Sequence, residues 1–262
     1  MPMPGTRLRT RFGTDLDLPP PFTLVTLREA GDAFVHAAGI AGESGAGTLV
    51  FVGRFDLAEF AVVLEPDEPL HTARRAFYAG MVALGDALIA HAPPEKPIAF
   101  EWPGSIRVDG GLVGGARLAW PEGADEEQPP PWLVFGAMIR TVSLTGEPGL
   151  TPLVAALEDE GFDDLGAGRL AESFARHLMV AFDAWRESGF DAVAKAYLAR
   201  LAPSLPSPAS GGGKGGVMRR DIDVNGDLMS RHVGRAPAER WPLVTALAAP
   251  AWLDPETGGP RT

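Results

Sequence analysis

The sequence predicts an α+β fold: a mixed, mainly antiparallel sheet with helices on one face, followed by a small C-terminal β unit. Two long stretches of helical periodicity, at 70–91 and 170–189, are preceded and separated by apolar runs typical of strands. Strand-like runs follow one another through the middle of the chain, from 98–102 through the hairpin at 101–120 to 132–144, which indicates a mainly antiparallel sheet. An Asn-Gly pair at 225–226, between two further strand-like runs, indicates a separate hairpin.

The first third of the chain predicts one strand, one helix and two more strands. FTLVTL at 22–27 follows three prolines and is typical of a short buried strand. Apolar residues at three- and four-residue spacing indicate a helix within 28–38. The runs LVFVGRF at 49–55 and FAVVLEP at 60–66 are rich in β-branched and aromatic residues, so we expect two strands joined by a tight connection.

The middle of the chain predicts a long helix and a hairpin. The helix at 70–91 is followed by two prolines, which cannot continue it. Residues 101–120, EWPGSIRVDGGLVGGARLAW, indicate a strand, a turn and a second strand. WLVFGAMIRTVSL at 132–144 is a long apolar strand, and we expect it to pair with 112–120.

The last third predicts two helices, a linker and a hairpin. The helix at 170–189 stops at a glycine, and a second helix follows at once. The Pro-, Ser- and Gly-rich stretch after that helix is typical of a flexible linker. We therefore expect a main domain at 1–205, a linker at 206–216 and a small β domain at 217–262.

Charge and hydropathy exclude several partners. The formal net charge is −11, which repels nucleic-acid phosphates and anionic membranes. No apolar run approaches the roughly twenty residues that a membrane-spanning helix needs. The N-terminal residues lack the apolar core of a secretory signal. We expect a cytoplasmic protein that binds neither nucleic acid nor membranes.

Residue usage limits the chemistry that the chain can perform. There is no cysteine, which excludes disulfides, thiolate metal sites and a cysteine nucleophile. The five histidines are scattered without the spacing of a zinc site, and we expect no metal held by protein side chains. Only Lys96, Lys195 and Lys214 are present, so a reaction that needs a lysine has three candidates.

The hairpin at 101–120 resembles the central signature of the biotin/lipoate protein ligase family. In that signature a Trp-Pro-Asn-Asp segment leads through a short hairpin to a Lys-x-x-Gly segment. Here Trp102-Pro103 follows the long helix, and the hairpin leads to Val113-Gly114-Gly115. The strand WLVFGAMI at 132–139 is similar to the family strand that carries Gly-x-Gly-x-Asn, and the run from Trp185 to Tyr197 is similar to its C-terminal helix pair.

The resemblance covers roughly residues 22–201, and the hairpin at 225–226 is similar to the small β-barrel appended to many biotin ligases. It implies the fold shared by biotin ligases and class II aminoacyl-tRNA synthetases. It also implies a two-step reaction in which a carboxylic acid attacks ATP, with Mg²⁺ present, and the acyl-adenylate then acylates a lysine on a carrier domain. The implied ligand is a small carboxylic acid such as biotin, lipoate or a fatty acid. Because the family commonly dimerises through sheet edges, the resemblance also implies a homodimer.

The family's catalytic residues carry over poorly. The lysine of Lys-x-x-Gly falls at or near Leu112, with no lysine within reach. The basic residue before Trp-Pro is Glu101, and the Asn-Asp pair after it is Gly104-Ser105. The arginine- and glycine-rich loop that closes over the acyl-adenylate is reduced to Gly53-Arg54-Phe55-Asp56. One missing cation about 4 Å from a phosphate costs roughly 4 kcal/mol at an effective dielectric of 20, or about three powers of ten in rate.

Three arginines are the candidates to replace the missing lysine. Arg117, two residues past the Gly-Gly pair, is the candidate catalytic residue, and Arg54 and Arg140 are candidate binding residues. The planar fork of arginine suits phosphate and carboxylate groups. Trp102 has two interpretations, a ligand-pocket wall or a core residue, whereas the pair Gly114-Gly115 indicates close backbone approach. The candidate ligand-binding set is Gly53, Arg54, Trp102, Gly104, Ser105, Gly114, Gly115 and Arg140.

Three functions remain open at this point. The first is a family member that binds a small carboxylic acid or its adenylate, with classical ligation weak or lost. The second is an active ATP-dependent acyl-adenylating ligase that uses arginine in place of lysine. The third is a non-catalytic scaffold that docks a carrier domain or another protein.

Overall fold

The structure is a computed structural model that describes residues 16–28, 31–143, 153–203, 218–232 and 237–261. Within these ranges the strands are β1 (Thr23–Leu27), β2 (Thr48–Val52), β3 (Leu57–Leu64), β4 (Ile98–Glu101), β5 (Ser105–Val108), β6 (Gly111–Ala119), β7 (Leu133–Arg140), β8 (Met218–Ile222), β9 (Leu228–His232) and β10 (Glu239–Trp241). The helices are α1 (Ala33–Ser44), α2 (Leu70–Ala73), α3 (Ala76–Ile89), α4 (Ala167–Ser188), α5 (Phe190–Arg200) and α6 (Leu243–Ala248). In the same ranges no helix is long and apolar enough to cross a membrane. The linker predicted at 206–216 lies outside the described residues.

Seven strands form one mixed sheet in the order β1-β2-β3-β7-β6-β5-β4. Strand β1 runs parallel to β2, and every other neighbouring pair is antiparallel. The pairing expected between 112–120 and 132–144 is confirmed, since Gly114 lies opposite Ile139 in β6 and β7. A three-stranded sheet, β10-β9-β8, contains the hairpin expected around Asn225-Gly226. The predicted α+β class and the mainly antiparallel sheet are therefore confirmed.

Two local predictions differ from the structure. The helix expected at 70–91 is divided into α2 and α3, because Arg74 and Arg75 form a tight turn whose carbonyls accept hydrogen bonds from the residues three positions later. The sequence of residues 245–262 predicts no regular element, whereas the structure extends α6 to Ala248 within this stretch. Helix α6 forms where the Asp227 carboxylate accepts the backbone N–H of Leu243 at 2.8 Å.

Helices cover both faces of the large sheet. Helices α3, α4 and α5 pack on one face, around Phe60 and Phe135. Helix α1 packs on the other face, where Ala33 and Ala37 contact Val50 and neighbouring side chains. This placement differs from the prediction of helices on one face. The physical reason is that β2, β3 and β7 carry buried apolar side chains on both sides, and both sides need cover.

Two glycines bring α3 close to the sheet. The ring of Phe135 lies against Gly80 in the space that a Cβ would occupy. A Cβ at Gly85 would lie 2.7 Å from the ring of Phe100. Because both positions lack a side chain, α3 buries nearly its whole circumference between the sheet and α4.

The small sheet contacts the main core beside α3. The buried Tyr78 hydroxyl donates to the carbonyl of Gly226 at 2.6 Å. Leu228 and Leu243 belong to the same apolar cluster as α3 and α4. Asp227 is buried and accepts from the guanidinium of Arg240 as well as from the start of α6. These contacts seat the second sheet on the first, while the domain boundaries at 205 and 217 stay a prediction.

Replacing Gly80 by alanine tests the close approach of α3. Gly80→Ala should lower the free energy of unfolding by about 1–3 kcal/mol, because the added methyl overlaps the ring of Phe135. The matched control is Gly39→Ala in α1, where the glycine is exposed and nothing lies within 4 Å of the new methyl. That change should raise the free energy of unfolding by about 0.5–1 kcal/mol. Urea denaturation measures both, and a Gly80→Ala protein as stable as wild type would contradict the packing.

Candidate functional site

The predicted site residues lie mainly on the sheet face that carries α1. A row of paired residues crosses this face from the edge to the centre: Glu101, Ser105, Gly115, Met138 and Glu59. Helix α1 covers the face over β2, β3 and part of β7. A loop formed by residues 252–261, named here the cover loop, lies over β6.

Two carboxylates hold the N-terminus of α1. Asp32 Oδ1 accepts from the backbone nitrogens of Phe34 at 2.8 Å and Val35 at 3.0 Å, which is the usual N-cap arrangement. Glu59 Oε1 accepts from the backbone nitrogen of Ala33 at 2.8 Å. The N–H groups that a helix N-terminus would offer to an anion are thus bound to the chain's own acids.

Glu59 is a carboxyl group in the middle of a buried strand, and it is 2% exposed. Burial raises its pKa above the usual 4.5, and the charge of Asp32 acts in the same direction. The hydrogen bond from Ala33 and the charges of Arg54 and Arg117 oppose the rise. The net direction is upward, so this carboxyl keeps its proton to a higher pH than an exposed glutamate does.

Arg117 extends from β6 into the interface with α1. Its Nη2 donates to both carboxylate oxygens of Asp32, at 3.0 and 3.1 Å. The guanidinium also lies 4.4 Å from the ring centre of Phe34. Gly136, which pairs with Arg117 on β7, leaves the space that the Phe34 ring fills. The candidate catalytic arginine is therefore engaged in holding α1 against the sheet.

The turn between β2 and β3 consists of residues 53–56, as short as the sequence predicts. Arg54 donates to Asp56 through two bonds, Nη2 to Oδ2 at 2.7 Å and Nε to Oδ1 at 3.1 Å. This paired hydrogen bonding raises the pKa of Arg54 and lowers that of Asp56. Gly53 donates its N–H to the carbonyl of Leu27 at 3.1 Å. The turn is fixed within itself and is too short to fold over a ligand.

Arg140 differs from the other two arginines because its hydrogen-bond partners are backbone carbonyls. Its Nη1 donates to Leu112 at 3.4 Å and Ala155 at 3.3 Å. Its Nη2 donates to Pro260 and Arg261, both at 3.1 Å. Burial lowers the pKa of this guanidinium. Within the described residues, no acid pairs with it.

The glycine pair shapes the surface beneath the cover loop. Gly114 has a φ of 148°, and a side chain there would collide with the carbonyl of Met138. A Cβ at Gly115 would lie 2.5 Å from Cδ1 of Trp252. Trp252 is 1% exposed, and its Nε1 donates to the carbonyl of Ala116 at 3.2 Å. The indole thus fills the space that the missing side chain of Gly115 leaves open.

Gly104 and Ser105 lie beside this glycine pair in a packed environment. The Gly104 carbonyl accepts from the backbone nitrogen of Ala116 at 2.8 Å, and a Cβ at Gly104 would lie 2.8 Å from the ring of Phe77. Ser105 is 3% exposed and pairs with Gly115. The segment expected to bind ligand is therefore enclosed by neighbouring strands and by the core.

Trp102 lies on the opposite side of the sheet from Gly115. Its Nε1 donates to the hydroxyl of Tyr78 at 3.3 Å, and its ring meets that of Trp241 edge-on with centroids 6.3 Å apart. These contacts agree with the interpretation of Trp102 as a packing residue. The structure does not bring Trp102 and the glycine pair into one pocket. A cleft of about 470 Å³ lies between α4 and the ends of β3 and β7, and no predicted site residue lines it.

The structure adds Asp32, Phe34, Glu59 and Trp252 to the residues that the sequence singled out. Asp32 carries a sequence signal, since it precedes a helical run as N-caps do. Glu59 also carries one, because a charged residue inside an apolar strand needs a buried partner. No sequence signal identifies Trp252, since 136 residues separate it from its partner Ala116.

The surface in this arrangement does not fit ATP and Mg²⁺. Arg54 and Arg117 are each paired with a carboxylate, and Glu59 is buried between them. Trp252 occupies the space over Gly115. The described ranges contain no group of three or more His, Asp or Glu that could hold a metal ion. Arg140 has no acid partner in the described residues, but its donors are taken by backbone carbonyls, and phosphates find no room over Gly115 while the cover loop is in place.

The mixed seven-stranded sheet thus carries the N-terminus of α1 and a glycine pair on one face. A family model described as the biotin/lipoate A/B protein ligase family matches residues 18–199. The chain belongs to this family, which confirms the resemblance seen at 101–120. A search of the curated proteins found no match.

Solved structures of ligases and a ligase-like protein share the fold. A biotin protein ligase-like protein of unknown function from Silicibacter sp. TM1040 is 28% identical with a TM-score of 0.73, over 88% of this chain and 98% of that chain. The biotin protein ligase of Aquifex aeolicus is 12% identical with a TM-score of 0.63, over 84% and 95%. The biotin protein ligase of Leishmania major in complex with biotinyl-5-AMP is 17% identical with a TM-score of 0.54, over 85% and 99%. At such identities the two enzymes show a shared fold.

Substitution of Glu59 tests the buried carboxyl. Because its pKa is higher in the folded than in the unfolded state, wild type loses stability as the pH rises from about 4.5 through the folded value. Glu59→Gln keeps an acceptor for Ala33 but does not titrate, so its stability relative to wild type should increase between about pH 4.5 and pH 7. Glu59→Ala leaves the Ala33 N–H without its acceptor and should cost about 1–3 kcal/mol throughout this range.

Denaturation at several pH values measures these differences in the free energy of unfolding. A difference between Glu59→Gln and wild type that stays constant with pH would contradict a raised pKa of Glu59.

Proposed function

We propose that this chain is a biotin/lipoate ligase-like protein that binds a small carboxylic acid or its adenylate, with classical ligation weak or lost. The observation that carries the proposal is the pairing of cations on the ligand face. Arg54 is bound to Asp56, and Arg117 is bound to Asp32. Two of the three arginines that could replace the missing lysine are therefore already neutralised.

The charge balance supports the loss of adenylation. Attack on ATP develops negative charge at the α-phosphate, which fixed cations and oriented donors must stabilise. A phosphate beside Arg117 would have to displace Asp32, and the displaced carboxylate would remain within a few ångströms. Glu59, also on this face, adds repulsion toward a phosphate when it is charged. The fixed charges therefore favour a face without phosphoryl chemistry.

Binding of a carboxylic acid is supported by Arg140. Within the described residues its acceptors are four neutral carbonyls. A carboxylate is a stronger acceptor for a guanidinium than a carbonyl is. One cation of this kind suffices to hold an acid, but adenylation also requires stabilisation of the phosphate.

The proposal is tested by ATP–pyrophosphate exchange in the presence of biotin, lipoate or octanoate. Exchange by the wild-type protein should be at least about 1,000-fold slower than by a working ligase, since one missing cation costs about three powers of ten in rate. The Aquifex aeolicus biotin protein ligase is a suitable positive control. Exchange within about tenfold of that enzyme would overturn the proposal and support the alternative of an arginine-based adenylating ligase.

Docking of a carrier domain or another protein without chemistry is a second candidate function. Phe55, on the turn beside Arg54, is 67% exposed, and Val35, in the first turn of α1, is 64% exposed. Aromatic side chains such as that of Phe55 are enriched in the buried centre of protein interfaces. These two side chains are the observation that favours docking.

Phe55→Ser tests the docking function. The substitution should weaken binding of an isolated biotin or lipoyl carrier domain by about tenfold or more, because it removes an aromatic side chain that the carrier domain would bury. The free energy of unfolding should change by no more than about 0.5 kcal/mol, since Phe55 is exposed. Ile89→Ser, which replaces a residue 48% exposed at the end of α3, is the matched control. Calorimetric titration measures the affinities, and a wild type that binds neither carrier domain would reject docking.

A further inference from the structure

The cover loop keeps its own shape and has few attachments to the sheet. Within the described residues three hydrogen bonds join it to the sheet, one from Trp252 and two from Arg140. Three backbone bonds of 2.8 Å close the loop on itself: Asp254 N to Gly259 O, Gly258 N to Asp254 O and Arg261 N to Trp252 O. A preformed loop with one large anchor can leave the sheet as a unit.

The recess that Trp252 fills belongs to the sheet and not to the loop. Its floor is apolar and is formed by Leu57, Leu112 and Met138 on three neighbouring strands. Its depth comes from Gly115, where a side chain would occupy the position of the indole. These strands are held by their own ladders, so the recess persists when the indole is absent.

Arg140 is oriented by two sets of carbonyls, of which only one set can move. Leu112 and Ala155 accept from Nη1 at 3.4 and 3.3 Å and belong to the sheet and its adjoining segment. Pro260 and Arg261 accept from Nη2 at 3.1 Å and belong to the cover loop. When the loop leaves, Nη2 loses both acceptors while Nη1 stays in place. An oxyanion, which carries a full negative charge, would then accept the hydrogen bonds that Nη2 no longer donates to the loop.

We propose that the cover loop is a displaceable lid over an oxyanion-binding recess, and that the recess takes an apolar molecule ending in a carboxylate or a phosphate. The apolar floor suits the body of such a ligand, and Arg140 suits its head. In the closed form the Trp252 indole occupies the position of the apolar part of the ligand. The carbonyls of Pro260 and Arg261 occupy the position of its carboxylate or phosphate. This inference rests on the proposed function, since it specifies where the acid binds and what controls its entry.

Trp252→Ala is the direct test. Because a ligand that must displace the lid binds in proportion to the open fraction, loss of the anchor should raise the affinity for octanoate or octyl phosphate by about tenfold or more. Trp132→Ala, directly before β7 and outside the recess, is the matched control and should leave affinity unchanged. Arg140→Gln in the Trp252→Ala background should abolish the gain for both acids. Calorimetric titration with octanoate, octyl phosphate and neutral 1-octanol measures these effects and distinguishes carboxylate from phosphate.

Equal affinity of Trp252→Ala and wild type for both acids would overturn the lid. Binding of 1-octanol as tightly as octanoate would overturn the oxyanion site, because the recess would then recognise only the apolar body. Pyrophosphate exchange stays a separate test: fast exchange by wild type rejects the proposed function, whereas a missing affinity gain rejects only the lid.

Hydrogen exchange of the wild-type protein gives a second test that needs no variant, should Trp252→Ala not fold. Saturating octanoate or octyl phosphate should speed exchange of the indole N–H of Trp252, because its bond to the Ala116 carbonyl joins the loop to the sheet and is lost when the loop leaves. Amides in the β6–β7 ladder should stay protected. Unchanged exchange of the Trp252 indole N–H with both acids would reject the proposal.

Discussion

The large sheet is apolar on both faces, and the placement of the long helices and of the cover loop follows from the need to cover it. One face receives α3, α4 and α5, with the larger aromatic residues of the core between them. The other face receives α1 over β2, β3 and part of β7, which leaves β6 uncovered. The cover loop completes this second face, with Trp252 buried against Leu57, Leu112 and Met138. The predicted ligand-binding glycines Gly114 and Gly115 therefore lie on the part of this face that the cover loop, and not α1, covers.

The same requirement explains why polar groups on this face are satisfied internally. Because α1 begins directly above Glu59, its first N–H groups meet two acids of the chain itself. Because Arg117 lies at the junction of α1 and β6, it bonds to the N-cap Asp32. Catalysis requires hydrogen-bond donors and cations that have no partner until the ligand binds, and such groups lower the stability of the folded protein. Here Arg140 alone among the three candidate arginines has no acid partner in the described residues, and its donors meet only neutral dipoles.

Local sequence patterns predicted most of the helices and strands, but they did not predict which side chains bond to one another. The β6–β7 pairing and the hairpin at 225–226 follow from hydrophobic runs and turn residues that are close in sequence. The contact of Arg117 with Asp32 joins residues 85 apart, and no local signal encodes it. The alternation of polar and apolar residues also did not predict the position of α1. Strands β2 and β3 are buried on both sides, so neither has a polar side that would show which face the helix covers. The reduced turn at 53–56 was visible in the sequence, but its internal Arg54–Asp56 pair was not.

The distance in sequence between β6 and its cover has a consequence for biosynthesis. Ala116 and Trp252 are separated by 136 residues, so a chain made from its N-terminus completes the sheet long before the residue that closes it exists. During that interval the recess is open, with Leu57, Leu112 and Met138 facing water and Arg140 at one side. The nascent protein therefore exposes an apolar groove with a cationic end to chaperones and metabolites. The cover loop is the last of the described segments to be synthesised.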